Sequence, residues 1–333
     1  MRRALALLVV ALVLSGCAAL PGGLGGVQRT GWAFSKTGLD ALKARGLDGR
    51  GVTVAIVDTG VDATHPDLQG AHIVAWKDLA GGKASPYDDE GHGTHVAALV
   101  AGQSPLRGGA PAVNLIVVKV FDSTGNATDQ RVADGIQFAV DHGAQVIGLS
   151  LGGGSFPLLG TQSENAAKAA VNRGVLVVAA AGNAGPNSGD VSAPADVQGV
   201  IAVAAVDEGL RVADFSSRGS DGSPLVAGIG LPRQAPDQKP EIAAPGVKIA
   251  SAWPNGGYAV ASGTSMAVPF VVSALALMLQ AHPGAAPADA NGVEKVKGWL
   301  ASTASPAAGA QRPHDSLAGY GVLDAAALVD AAG

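Results

Sequence analysis

A chain of 333 residues, 47% hydrophobic and only 15% charged, is long enough to bury one large core, so one main domain is expected. The formal net charge of -5 comes with no basic run, which excludes nucleic acid as an expected partner, and a single cysteine excludes an internal disulfide. The 48 glycines and 19 prolines fall between apolar runs without a repeat, which points to tight turns in a globular protein rather than a fibre.

In chain order, Arg2-Arg3 followed by the apolar residues 4–14 has the basic and hydrophobic regions of an export signal, and is too short for an ordinary membrane span. Leu14-Ser15-Gly16-Cys17 comes next and resembles the bacterial lipobox, in which the cysteine is lipidated and becomes the first mature residue. Residues 1–16 are therefore expected as a lipoprotein-type signal peptide, 17–37 as a lipid-anchored tether flexible at 21–26, and 38–333 as the main domain. The protein would be exported to the cell envelope and held through Cys17 on the extracytoplasmic side of a membrane, or secreted if the lipobox is not used.

The β-branched run at 51–58 suits a strand buried on both faces of a parallel sheet, with Asp58 at its carboxyl end. Similar runs recur at 114–120, 145–149, 175–180 and 200–206, alternating with helical patterns at 96–101, 129–141 and 163–173. This alternation predicts an α/β fold, a mainly parallel doubly wound sheet with helices on both faces. Polar residues just beyond the strands, Asp58, Ser150 and Asn183, then stand where ligands collect in such sheets. Residues 219–240 are expected as a polar surface loop, followed by helices at 266–280 and 293–301 and a closing apolar segment at 323–331.

Ser265, in Ala261-Ser262-Gly263-Thr264-Ser265-Met266-Ala267-Val268-Pro269, is a hydroxyl between a glycine turn and an apolar helix. Alone it would be taken for a helix cap, because a serine nucleophile needs a histidine base and a carboxylate to orient that base. His92 in Gly91-His92-Gly93-Thr94-His95 and Asp58 in Val57-Asp58-Thr59-Gly60 are candidates for these roles. The His92 and His95 pair also suggests a metal, but the zinc-protease helix signature with its glutamate is absent. A nucleotide loop would need a third glycine after Gly91-His92-Gly93 and is excluded.

Together with Ala181-Gly182-Asn183-Ala184, these blocks resemble the subtilisin-like serine proteases, the subtilases, in the order Asp, His, Ser. The resemblance covers the chain from about residue 38 onward and implies a serine endopeptidase acting on polypeptides through an acyl-enzyme. It implies Asp58, His92 and Ser265 as the triad and Asn183 as the oxyanion donor. Ser150, Leu151, Gly152 and Gly153 would form one wall of the substrate cleft, with Ala180 and Gly182 on the other side. It also implies that Asp67 ligates a structural calcium, while catalysis requires no cofactor. Val268, Phe270 and Gly148 depart from the common pattern and bear on cleft packing rather than on the chemistry. Only about twenty residues separate Cys17 from the start of the resemblance, too few for a folded propeptide. The rival reading is an inactive subtilase-fold lipoprotein that acts as a binding or scaffold protein, which would be expected to have a broken triad.

Overall fold

The computed structural model describes residues 9–11, 18–20, 30–153, 161–220, 222 and 232–333, so Cys17 and most of the expected signal and tether lie outside the described residues. In chain order the strands begin with β1 (Val9–Ala11), β2 (Ala18–Leu20), β3 (Thr53–Asp58), β4 (His72–Asp78), β5 (Asn114–Lys119) and β6 (Asn126–Thr128). They continue with β7 (Val146–Leu149), β8 (Leu176–Ala180), β9 (Ile201–Val206), β10 (Ile242–Pro245), β11 (Ile249–Trp253) and β12 (Gly257–Ala261). The helices are α1 (Gly31–Lys36), α2 (Leu39–Ala44), α3 (His92–Ala101), α4 (Asp129–Asp141), α5 (Gln162–Asn172), α6 (Thr264–Ala281), α7 (Ala290–Thr303) and α8 (Ala325–Ala332).

Seven strands form one sheet in the order β10-β9-β8-β7-β3-β5-β4, and every neighbouring pair is parallel. The expected runs became its five central strands because they are apolar on both faces. The alternation of side chains sorts the layers: Ile56 meets Val272 of α6 around Gly148, whereas Val57 and Val118 meet Gly135 of α4 on the opposite face. Helix α6 would be apolar enough to cross a bilayer, but it is packed inside the protein against the sheet.

Strand β4 went unread because it is an edge strand whose burial alternates, with His72, Trp76 and Lys77 interrupting the apolar pattern. The β11–β12 hairpin is rich in alanine and glycine, which carry little strand signal.

The segment 219–240 is not simply a surface loop. In its described part Asp237 and Lys239 are buried in a charged cluster with Glu241 and Lys297 of α7, and Arg233 is buried against Asp190. Lys297 of α7 bonds Asp237 and lies 3.0 Å from Glu241, which also takes Lys239 at 2.8 Å. Removing one cation would strand buried carboxylates, so Lys297→Met is expected to cost about 3–5 kcal/mol of stability in urea unfolding. An unchanged unfolding midpoint would contradict this.

Candidate active site

Asp58 ends β3, at the carboxyl edge of the sheet, with its side chain fully buried. Its Oδ1 accepts the Thr59 N–H at 2.7 Å and lies 2.7 Å from His92 Nδ1, so one oxygen fixes both the turn and the imidazole. Helix α3 starts at His92 itself, four residues before the apolar run that announced it. The reason lies upstream: Asp88 accepts N–H groups from Gly91 and Thr94, and Glu90 accepts that of His92, satisfying donors that a helix start leaves open. Gly93 permits the close approach, since a Cβ there would lie 2.2 Å from the Gly60 carbonyl oxygen. Burial pulls the His92 pKa down, but the charge and hydrogen bond of Asp58, aided by Glu90 and Asp88, hold it above its ordinary value.

Ser265 lies in the first turn of α6, one residue after Thr264, and it does not cap the helix. The N-cap is Gly263, with no side-chain cap bond. Pro269 sits deeper in the helix than a first-turn proline and removes the N–H that would have bonded the Ser265 carbonyl. That carbonyl instead accepts the Ser150 hydroxyl at 2.9 Å, while the Ser265 hydroxyl donates to the Ser150 carbonyl at 3.0 Å. The reciprocal pair ties α6 to the end of β7. His92 Nε2 has no hydrogen-bond partner among the described residues, so the Ser265–His92 bond is not made in this conformation. Such bonds are often long before substrate binds and tighten in the complex.

Asn183 follows β8, and its Oδ1 accepts both the Thr264 N–H at 2.9 Å and the Thr264 hydroxyl at 3.0 Å. Binding the oxygen in this way leaves the amide nitrogen as the donor end, beside Gly263 and the start of α6. Among the expected cleft residues Gly152, Gly153 and Gly182 are half-buried, whereas the side chains of Ser150, Leu151 and Ala180 are packed beneath the surface. Gly153 pairs through its backbone with Ala193. Ser192, which the sequence did not single out, joins the two walls. A Cβ on Gly152 would come within 3.0 Å of its Cβ, and one on Gly182 within 2.3 Å of its Oγ.

His95 makes no hydrogen bond with His92. Its Nε2 lies 3.1 Å from the Ile249 carbonyl, and burial, then the charge of His92, lowers its pKa to about 3. No group of three or more His, Cys, Asp or Glu residues among the described residues could hold a metal. Asp67 is fully buried on the loop after β3. Its neighbour Tyr258 has a phenol pushed up to about 12 by burial, then by the nearby Asp67 carboxylate, whose oxygens have no hydrogen-bond partner among the described residues.

The model of the subtilase family matches residues 49–321. The chain is 38% identical over 259 residues to subtilisin Savinase of Lederbergia lenta, covering 77% of this chain and 86% of that protein. Subtilisin DY of Bacillus licheniformis is 36% identical over 271 residues, 80% of this chain and 88% of its own. An alkaline protease of Shouchella clausii is 38% identical, and the match spans 61% of its length. Among solved structures, the prenylagaramide maturation protease PagA superposes with a TM-score of 0.68 at 30% identity, covering 89% of this chain and 98% of that one.

Proposed function

Because this chain belongs to the subtilase family and is a serine-type endopeptidase, we propose that it cleaves polypeptides with Ser265 as nucleophile, His92 as base and Asp58 as orienter. The observation that carries the reading is the buried Asp58–His92 bond, which ends at an imidazole nitrogen without another described partner. His92 would take the Ser265 proton as the hydroxyl attacks the peptide carbonyl, then return it to the leaving amine, with Asp58 stabilising the imidazolium. The developing oxyanion would be met by the Asn183 amide and the Ser265 N–H at the start of α6.

The half-buried Gly152, Gly153 and Gly182 would offer their backbone to an extended peptide, with Ser192 filling the space beside Gly152 and Gly182. Their buried neighbours Ser150, Leu151 and Ala180 would support that cleft from below. An inactive scaffold would have no use for an intact dyad. The direct test is labelling of the purified protein by a serine-directed fluorophosphonate alongside casein hydrolysis; absence of both in the folded wild type would overturn the reading.

Asn183→Ala is expected to lower kcat by about 10²- to 10³-fold with KM little changed, the size known for the corresponding change in subtilisin. Steady-state kinetics on a peptide anilide would show it, and a loss confined to KM would remove Asn183 from the oxyanion site.

Export and lipid anchoring rest on Arg2-Arg3, the apolar residues 4–14 and the Leu14-Ser15-Gly16-Cys17 pattern. Cys17→Ser should leave the membrane fraction and lose fatty-acid label; retention of both would exclude the anchor. A calcium ion at Asp67 would be structural and take no part in the reaction. The expected sign is a lower Tm in chelator than in calcium, and equal values would dismiss the ion.

A further inference from the structure

Lys119 is a buried ammonium that the proposed reaction does not use. It ends β5, and the parallel register places it level with Asp58 on one side and Asp78 on the other. Residues level in a parallel sheet project from the same face, so three ionisable side chains form a row across the carboxyl edge. The Lys119 side chain is 1% exposed, and its Nζ donates to the Thr59 carbonyl and to Asp89 Oδ1, each at 2.6 Å. Thr59 is the junction: its N–H holds the Asp58 carboxylate, and its hydroxyl accepts the Gly93 N–H of α3 at 2.7 Å. Asp89 lies between Asp88 and Glu90, the two residues that start the His92 helix. Asp78 completes the frame by accepting the Tyr87 hydroxyl at 2.9 Å, while the Tyr87 carbonyl takes the Val61 N–H at 3.1 Å.

We propose that Lys119 is a positioning residue for the Asp58–His92 pair, tying the turn that carries the orienting carboxylate to the acidic segment that starts the helix of the base. The inference rests on the catalytic reading of Asp58, His92 and Ser265. A lysine with a merely structural role would cost stability when removed and leave the kinetics of the folded enzyme unchanged. A clamp on the dyad also sets distances and field at the imidazole. The groups facing His92 are Asp58 from β3, Asp88 and Glu90 from the segment before α3, and His95 from its own helix. Lys119 is the cation behind this mostly acidic set, and Asp89 is its counter-charge.

The test uses the full chain and two variants, Lys119→Met and Asp89→Asn, with rates normalised to active sites titrated by fluorophosphonate. Lys119→Met should lower kcat about 10- to 100-fold with little change in KM, because a slightly misplaced base loses rate rather than binding. Deleting the positive charge favours the imidazolium, so the acid limb of its kcat/KM profile should move to higher pH. Asp89→Asn removes a negative charge and should move that limb to lower pH; Asp89 is 34% exposed, which favours a folded variant. Wild-type kcat and acid limb in Lys119→Met would overturn the clamp. Should that variant fail to fold, an unmoved limb in Asp89→Asn would do the same. A folded wild type that does not label would instead overturn the catalytic reading on which the clamp rests.

Discussion

Replacing Ser265 by alanine is expected to lower kcat by about 10⁶-fold, the size found for the nucleophile of subtilisin, a relative of this chain. The hydroxyl lost is the atom that would form the acyl-enzyme, and no other described serine combines a place in the first turn of α6 with a link to the end of β7. Removing His92 as well should cost little more, because the two groups act as one unit. Residual turnover of about 10³- to 10⁴-fold over water should survive from the oxyanion donors and substrate binding. Burst titration with a peptide ester would check this. A variant that still releases a stoichiometric burst would show that the nucleophile lies elsewhere.

Asp58→Asn is expected to lower kcat by about 10⁴-fold and to change the pH profile in a defined direction. In the wild type burial lowers the His92 pKa, and the charge and hydrogen bond of Asp58 more than reverse this. The base is active only when neutral, so the wild-type acid limb is expected above the ordinary histidine value. With asparagine, burial is opposed by the weaker influence of Glu90 and Asp88, and the limb should shift to lower pH while the plateau falls. Stability follows the same linkage. A raised pKa stabilises the fold fully below the unfolded value of about 6.5 and loses that contribution as pH rises through the folded pKa. Asp58→Asn should flatten that dependence, as chemical denaturation at several pH values would show. A variant with the wild-type acid limb would mean that another group orients His92.

The positions of Asp58, His92, Asn183 and Ser265 were legible because each stands at the end of a strand or the start of a helix whose apolar pattern is strong. Less visible was the shell that holds them. Glu90 and Asp88 lie outside the apolar run that marks α3 in the sequence, yet their hydrogen bonds hold its first turn. Ser192 and Thr264 carry no signal of their own, and Lys119 lies unremarked inside the run 114–120.

By itself the sequence determined the parallel sheet, through β-branched runs apolar on both faces, and the order of the candidate residues along the chain. Only the tertiary structure decided that Pro269 releases a carbonyl for Ser150, that Lys119 lies level with Asp58, and that Asp237 and Lys239 are buried with Glu241 and Lys297. The physical reason is that periodicity records which face of an element is apolar, a local property. Hydrogen bonds and ion pairs between residues far apart in the chain depend on register and approach, which exist only once the strands are aligned and the helices packed.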